Sequence, residues 1–187
     1  MHNLRPRHRG CVVTIGNFDG VHHGHQVLLS HVVAKGKELG VPSAVVTFEP
    51  MPREFFRGTT RPVRLTRFRE KIMLLCRSGV DRVICLPFNE ELVNVTAQTV
   101  IDGFLVNSLE IRYIVVGDDF RFGRGAEGDY AMLQDAGRQH GFEVSHLGTL
   151  LFGHDRVSSS RVREALGAAD FELAEKLLGH PYFIMGR

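Results

Sequence analysis

The sequence predicts an α/β domain built on a parallel sheet. Three observations carry that prediction. Short apolar, β-branched runs alternate with longer amphipathic stretches along the 187 residues. Capping residues fall at the junctions between them. The strand-like runs are apolar along their length, as strands covered by helices on both faces must be.

The first strand spans residues 12–15, and a Gly/Asn/Asp loop leads from it into a helix over 23–39, with Gly40 at its C-cap. A second strand at 44–48 runs into Phe48-Glu49-Pro50-Met51-Pro52, read as a stiff extended loop because each proline restricts itself and the residue before it. Next come a helix at 67–78, with Thr66 as N-cap and Gly79 as C-cap, and a strand at 82–86. A helix at 97–107 behind the N-cap Thr96, a strand at 113–116, a helix at 129–140 and a strand at 143–146 complete the alternation. The tail holds two short helices, the first capped by Ser158 and the second running from Asp170 to Gly179, and then an extended apolar segment.

Composition narrows the function classes. Hydrophobic residues make up 43% and net charge is +2, so the totals point to no nucleic-acid or membrane partner. The basic opening, Arg5-Pro6-Arg7-His8-Arg9, reads as a solvated arm, with phosphate binding as the other reading. Cys11, Cys76 and Cys85 are far apart and read as buried free thiols in a reducing compartment. No apolar run reaches membrane-span length and the start lacks a signal-peptide pattern, so a cytoplasmic location is expected.

Chemistry concentrates where strands give way to helices. Residues Thr14 to His25 read T-I-G-N-F-D-G-V-H-H-G-H. The loop delivers His22 and His25, three apart and on one face, to a helix start whose free N–H groups favour phosphate. The histidine cluster lacks the companions of a structural metal site, and no metal ligand is assigned. A second helix start, Ser158-Ser159-Ser160-Arg161, offers hydroxyls, N–H groups and the cations Arg161 and Arg163, either as an anion cradle or as a simple cap. In Gly117-Asp118-Asp119-Phe120-Arg121-Phe122-Gly123 the rings are either core or the flanks of a planar ligand. The loops after the first strand, after the second (Phe48 to Pro52) and after the fourth (Gly117 to Gly123) all fall at the carboxyl ends of strands, where such sheets bind ligands. There is no P-loop motif, no G-x-G-x-x-G after the first strand and no nucleophile elbow.

G-N-F-D-G-V-H-H-G-H resembles the HxGH signature of the nucleotidyltransferase superfamily. T-F-E-P-M-P-R-E-F-F, R-L-T-R-F-R-E-K, V-G-D-D-F-R-F-G, V-S-S-S-R-V-R-E-A-L and L-L-G-H-P-Y follow in order. Together they resemble the adenylyltransferase module of bacterial bifunctional riboflavin kinase/FMN adenylyltransferases. Met51 stands where that family often has His, and Ser160 where it commonly has Thr.

The resemblance implies a Rossmann-like parallel sheet with helices on both faces over about residues 1–156, a helical segment over about 157–179, and a linker at 180–187 toward a riboflavin kinase domain absent from this sequence. It also implies transfer of AMP from ATP to the phosphate of FMN, with Mg²⁺, giving FAD and pyrophosphate. His22, His25 and Arg161 would be catalytic. ATP would meet Gly16, Asn17, Phe18, Asp19, Gly20, His22, His25, Ser159, Ser160, Arg161 and Arg163. FMN would meet Phe48, Pro50, Pro52, Asp118, Asp119, Phe120, Arg121 and Phe122. Another HxGH transferase, or a flavin-binding module without turnover, stands as the alternative.

Overall fold

A computed structural model describes residues 8–56 and 63–186. Five parallel strands form one sheet in the order β3-β2-β1-β4-β5. They are β1 (Val12–Ile15), β2 (Ser43–Glu49), β3 (Arg82–Pro87), β4 (Tyr113–Gly117) and β5 (Glu143–Leu147). The strand order reverses at β1, whose neighbours are β2 and β4. A crevice therefore opens beyond the carboxyl end of β1.

Alternation along β1 and β2 supplies two cores. Cys11, Val13, Ala44 and Val46 face one side with Ile101, Phe104, Leu105, Leu109 and Leu133. Val45 on the other side packs with Leu29 and Leu75, and Val12 with Val32 and Val115. Helices α1 (His23–Leu39) and α3 (Phe68–Arg77) thus cover one face. The segment 97–108 and α6 (Tyr130–His140) cover the other. This is the Rossmann-like layering the sequence predicts. Helices α7 (Ser159–Gly167) and α8 (Phe171–Leu178) pack on each other through Val162, Ala165, Ala174 and Leu177, with Leu65 closing the cluster.

Several local expectations are corrected. The stretch expected as one α-helix is a short turn, α5 (Ala97–Thr99), that widens into a π-helix over Val100–Ser108. The Ser108 hydroxyl donates to the Gly103 carbonyl five residues back, at 2.5 Å. The stiff loop after β2 turns into α2 (Pro52–Phe55), because proline suits the first helical turn and Glu54 accepts from the Met51 amide at 2.9 Å. Thr66 does not cap α3. Arg67 holds that position, with its amide donating to Glu70 at 2.6 Å. Also not foreseen are α4 (Glu90–Val93), a hairpin of β6 (Leu151–Phe152) and β7 (Asp155–Arg156), and 3-10 turns at Asp19–Val21 and Arg124–Ala126. Cys11 is buried, but Cys76 and Cys85 are exposed on α3 and edge strand β3. Arg5 and Arg7 of the basic arm lie outside the described residues, and Arg9 pairs with Glu110 at 2.8 Å.

Gly123 closes the turn after β4. Its φ is +76°, and an added Cβ would sit 2.5 Å from the Ala97 nitrogen. Gly123→Ala is expected to cost about 2–4 kcal/mol in a urea titration, because backbone rather than a flexible side chain opposes it. No helix among the described residues is long and apolar enough to cross a membrane.

Candidate active site

The loop leaving β1 is wound tightly. Phe18 (φ +50°), Gly20 (φ +80°) and Val21 (φ +41°) all occupy left-handed backbone within four residues. Two of these are not glycine, so surrounding structure must hold the turn. Asp19 supplies that hold from a buried position. Its carboxylate accepts from the Leu65 amide at 3.1 Å, the Thr66 amide at 3.1 Å and the Thr66 hydroxyl at 3.2 Å, and it pairs with the Arg163 guanidinium. The Gly20 amide donates to the Thr66 hydroxyl at 3.0 Å, and the Ser159 hydroxyl to the Asp19 carbonyl at 2.9 Å.

The turn aims two imidazoles. His22 is the N-cap of α1, and its Nδ1 accepts the His25 amide at 3.4 Å. That contact leaves the proton on Nε2 of the neutral ring. The His22 and His25 rings stack with centroids 3.6 Å apart, and Phe18 leans on His25 at 5.0 Å. A Cβ on Gly24 would press on the His22 ring at 3.3 Å. Burial lowers the His22 pKa to about 4, with Arg156 adding to the effect. Burial, then His22 and Arg156, holds His25 well below its ordinary value.

Both rings are therefore neutral donors at physiological pH. Following their Cε1 protons by NMR is expected to give a His22 midpoint near 4, with none near 6.5. The unfolded chain binds these protons below about pH 6.5 and the folded chain does not, so they should lower stability as pH falls from there toward 4. Urea titrations at pH 7.5 and pH 5 check the sign.

Two adjoining cavities meet at this corner. A polar one of about 560 Å³ is lined by Gly16, Asn17, Phe18, Asp19, His22, His25, Ser159, Ser160, Arg163, Asp118, Asp119 and Phe120. An apolar one of about 510 Å³ is lined by Phe48, Pro52, Asp119, Phe120, Arg121 and Phe122. They share Ile15, Gly16, Asn17, Asp119 and Phe120, so the two form one cleft with a charged end and a greasy end. Each is of the size that holds a small ligand.

Three predicted residues fall outside it. Gly20 is buried behind the loop against Leu65 and Leu178. Pro50, joined to Glu49 by a cis peptide bond, lines neither cavity. Arg161 turns to the hairpin, donating to the carbonyls of Phe152 and Asp155 at 3.0 and 3.1 Å. Arg163 instead lines the polar end. Two of its nitrogens hold Val63 and Asp19, while its buried Nη1 makes no hydrogen bond. Asp118 is occupied by the Thr149 hydroxyl and amide, both at 2.7 Å, which hold its carboxyl below the usual range. Asp119 pairs with Arg156 across the mouth.

Residues 4–161 match the FAD synthetase family. The chain belongs to that family. It is 52% identical over its whole length to a Pseudomonas fluorescens protein named bifunctional riboflavin kinase/FMN adenylyltransferase, and 47% identical to one of that name from Escherichia coli K12. It spans 60% of the length of each. A crystal structure described as a macrolide-efflux protein from Streptococcus pneumoniae is 26% identical and superposes with a TM-score of 0.84, over 95% of this chain and 57% of its own. That likeness confirms the fold.

Within this FAD synthetase fold, the cleft also draws on residues the sequence did not single out. Phe88 stands edge-on to Phe48 and Phe55 in the apolar wall, at 5.7 and 5.6 Å. Arg53, Thr149 and Arg156 join the polar end. Phe88 follows an edge strand and Arg156 sits on a two-residue strand, so neither carried a motif. A basic residue two before the triple serine was the only available signal for Arg156.

Proposed function

We propose that this chain transfers the adenylyl group of ATP to FMN, giving FAD and pyrophosphate. The observation that carries the reading is the single cleft, with the start of α1, His22, His25 and Arg163 at one end and an aromatic slot at the other. The names of the relatives support it.

In this reading the triphosphate lies over the start of α1 and the flavin ring lies between Phe48 and Phe120. An FMN phosphate oxygen attacks the α-phosphorus of ATP. The new P–O bond forms as the bond to the β-phosphate oxygen breaks, and pyrophosphate leaves with that electron pair. The attacking phosphate is already ionised, so no general base is required. The protein's task is alignment and charge stabilisation. His22 gives its Nε2–H, His25 its free ring N–H and α1 its terminal dipole to oxygens that gain charge. The spare Nη1 of Arg163 and the hydroxyls of Ser159 and Ser160 grip the opposite side. Arg161 has a supporting role, holding the hairpin that carries Arg156.

Among the described residues, no three His, Cys, Asp or Glu side chains group as a metal cage needs. Mg²⁺ would arrive with the nucleotide, held by phosphate oxygens and water, and would shield the phosphate charges. We assign riboflavin kinase activity to the part of the relatives that this chain does not span, and the reaction to the cytoplasm, where ATP is supplied.

Purified chain mixed with FMN, ATP and Mg²⁺ is expected to yield FAD and pyrophosphate on a chromatographic assay. Folded protein that binds both substrates and makes no FAD overturns the proposal.

A further inference from the structure

The segment 63–66 belongs to neither end of the cleft, yet it is bonded to both. Toward the phosphate corner, the amides of Leu65 and Thr66 and the Thr66 hydroxyl hold Asp19, and Thr66 accepts the Gly20 amide at 3.0 Å. The Val63 carbonyl accepts from Arg163 at 2.6 Å. Toward the aromatic slot, the Arg64 guanidinium bonds Glu49 at 2.6 Å and takes both oxygens of Glu54. Glu49 and Glu54 bracket the turn that sets Phe48 and Pro52. One step along, the buried Lys71 donates to the Phe48 carbonyl at 2.9 Å, with Glu49 at 3.8 Å. A fork that engages two carboxylates fixes distance and angle as well as charge.

We propose that residues 63–66 are a crossbeam that couples the two ends of the cleft, with Arg64 and Thr66 as positioning residues. A nucleotide that settles the Asp19–His22 loop thereby sets the Phe48–Phe55 turn for flavin. By linkage, flavin favours the nucleotide by the same factor. This deepens the adenylyltransferase reading and rests on it.

The test titrates FMN into the full chain by flavin fluorescence, with and without α,β-methylene-ATP, whose bridging carbon prevents loss of pyrophosphate. In the wild type the analogue is expected to tighten FMN about 5-fold or more. Arg64→Gln should reduce that factor to below about 2, leaving affinity for the analogue alone within about 2-fold. Glu54→Gln should behave alike, because it breaks the Arg64 fork, and the double variant should be no worse than Arg64→Gln, which already removes every bond that Arg64 makes to Glu49 and Glu54. Arg64→Lys keeps the charge but cannot span both carboxylates, and should recover only part of the coupling.

Coupling that persists in Arg64→Gln, or is absent from the wild type, overturns the crossbeam. So does an Arg64→Gln protein that has lost affinity for each ligand separately along with its cooperative unfolding, since the segment would then be merely structural. Wild type that shows the coupling yet forms no FAD refutes the adenylyltransferase reading and leaves the crossbeam standing.

Discussion

His22→Ala is expected to lower kcat for FAD formation about 100-fold, roughly 3 kcal/mol of lost transition-state stabilisation, with a much smaller change in KM for ATP. The asymmetry follows from where charge develops. Oxygens on the α-phosphoryl and leaving groups gain charge only as the bond to pyrophosphate breaks, so a donor aimed there matters most at that moment. The His22 ring is fixed for that task, stacked on His25 and held through Nδ1 by the His25 amide. Steady-state kinetics with FMN saturating measures the effect. His22→Asn, which keeps a neutral donor on a shorter stem, should fall between wild type and alanine. A rise in KM with kcat intact would mean that the imidazole binds ground state and transition state equally.

Asp19→Ala is expected to be the most damaging single change to the scaffold. It strips an acceptor from two amides and one hydroxyl and leaves the Arg163 guanidinium without its counter-charge in a mostly buried place. Removing one partner of such a pair costs about 3–5 kcal/mol. The left-handed backbone at Phe18 and Val21 then loses the contacts that hold it, so activity should fall with stability. Urea titration gives the first quantity and FAD formation the second. Adding Arg163→Met should restore part of the stability, because the unpaired charge goes with it. It should restore none of the activity, since Arg163 is assigned to the phosphates.

The contrast between these residues shows how far the sequence could be read. Periodicity and capping residues located all five strands of the sheet within a residue at each end, because those signals are local. The histidines were legible for the same reason, since their spacing on a helix start is written in consecutive residues. Asp19 was legible as part of the motif but not in its role. It reads as a phosphate-side residue, and its carboxylate instead holds the segment 63–66 and α7 from 46 and 144 residues away in sequence. The same long-range geometry turned Arg161 to the hairpin and left Arg163 facing the cleft. The π-helix was hidden because its apolar pattern fits an α-helix equally well, while its widened turn closes through backbone bonds five residues apart, as from the Leu109 amide to the Phe104 carbonyl at 2.9 Å. What failed to show in the sequence was the set of contacts between loops, which no single-segment pattern encodes.

The central claim is that the start of α1 receives the nucleotide's phosphates, and a crystal structure of the chain with α,β-methylene-ATP and FMN tests it most directly. The account predicts α- and β-phosphate oxygens within hydrogen-bonding distance of the His22 and His25 ring nitrogens, with the flavin between Phe48 and Phe120. A triphosphate seated elsewhere, with those imidazoles facing only solvent, would contradict it.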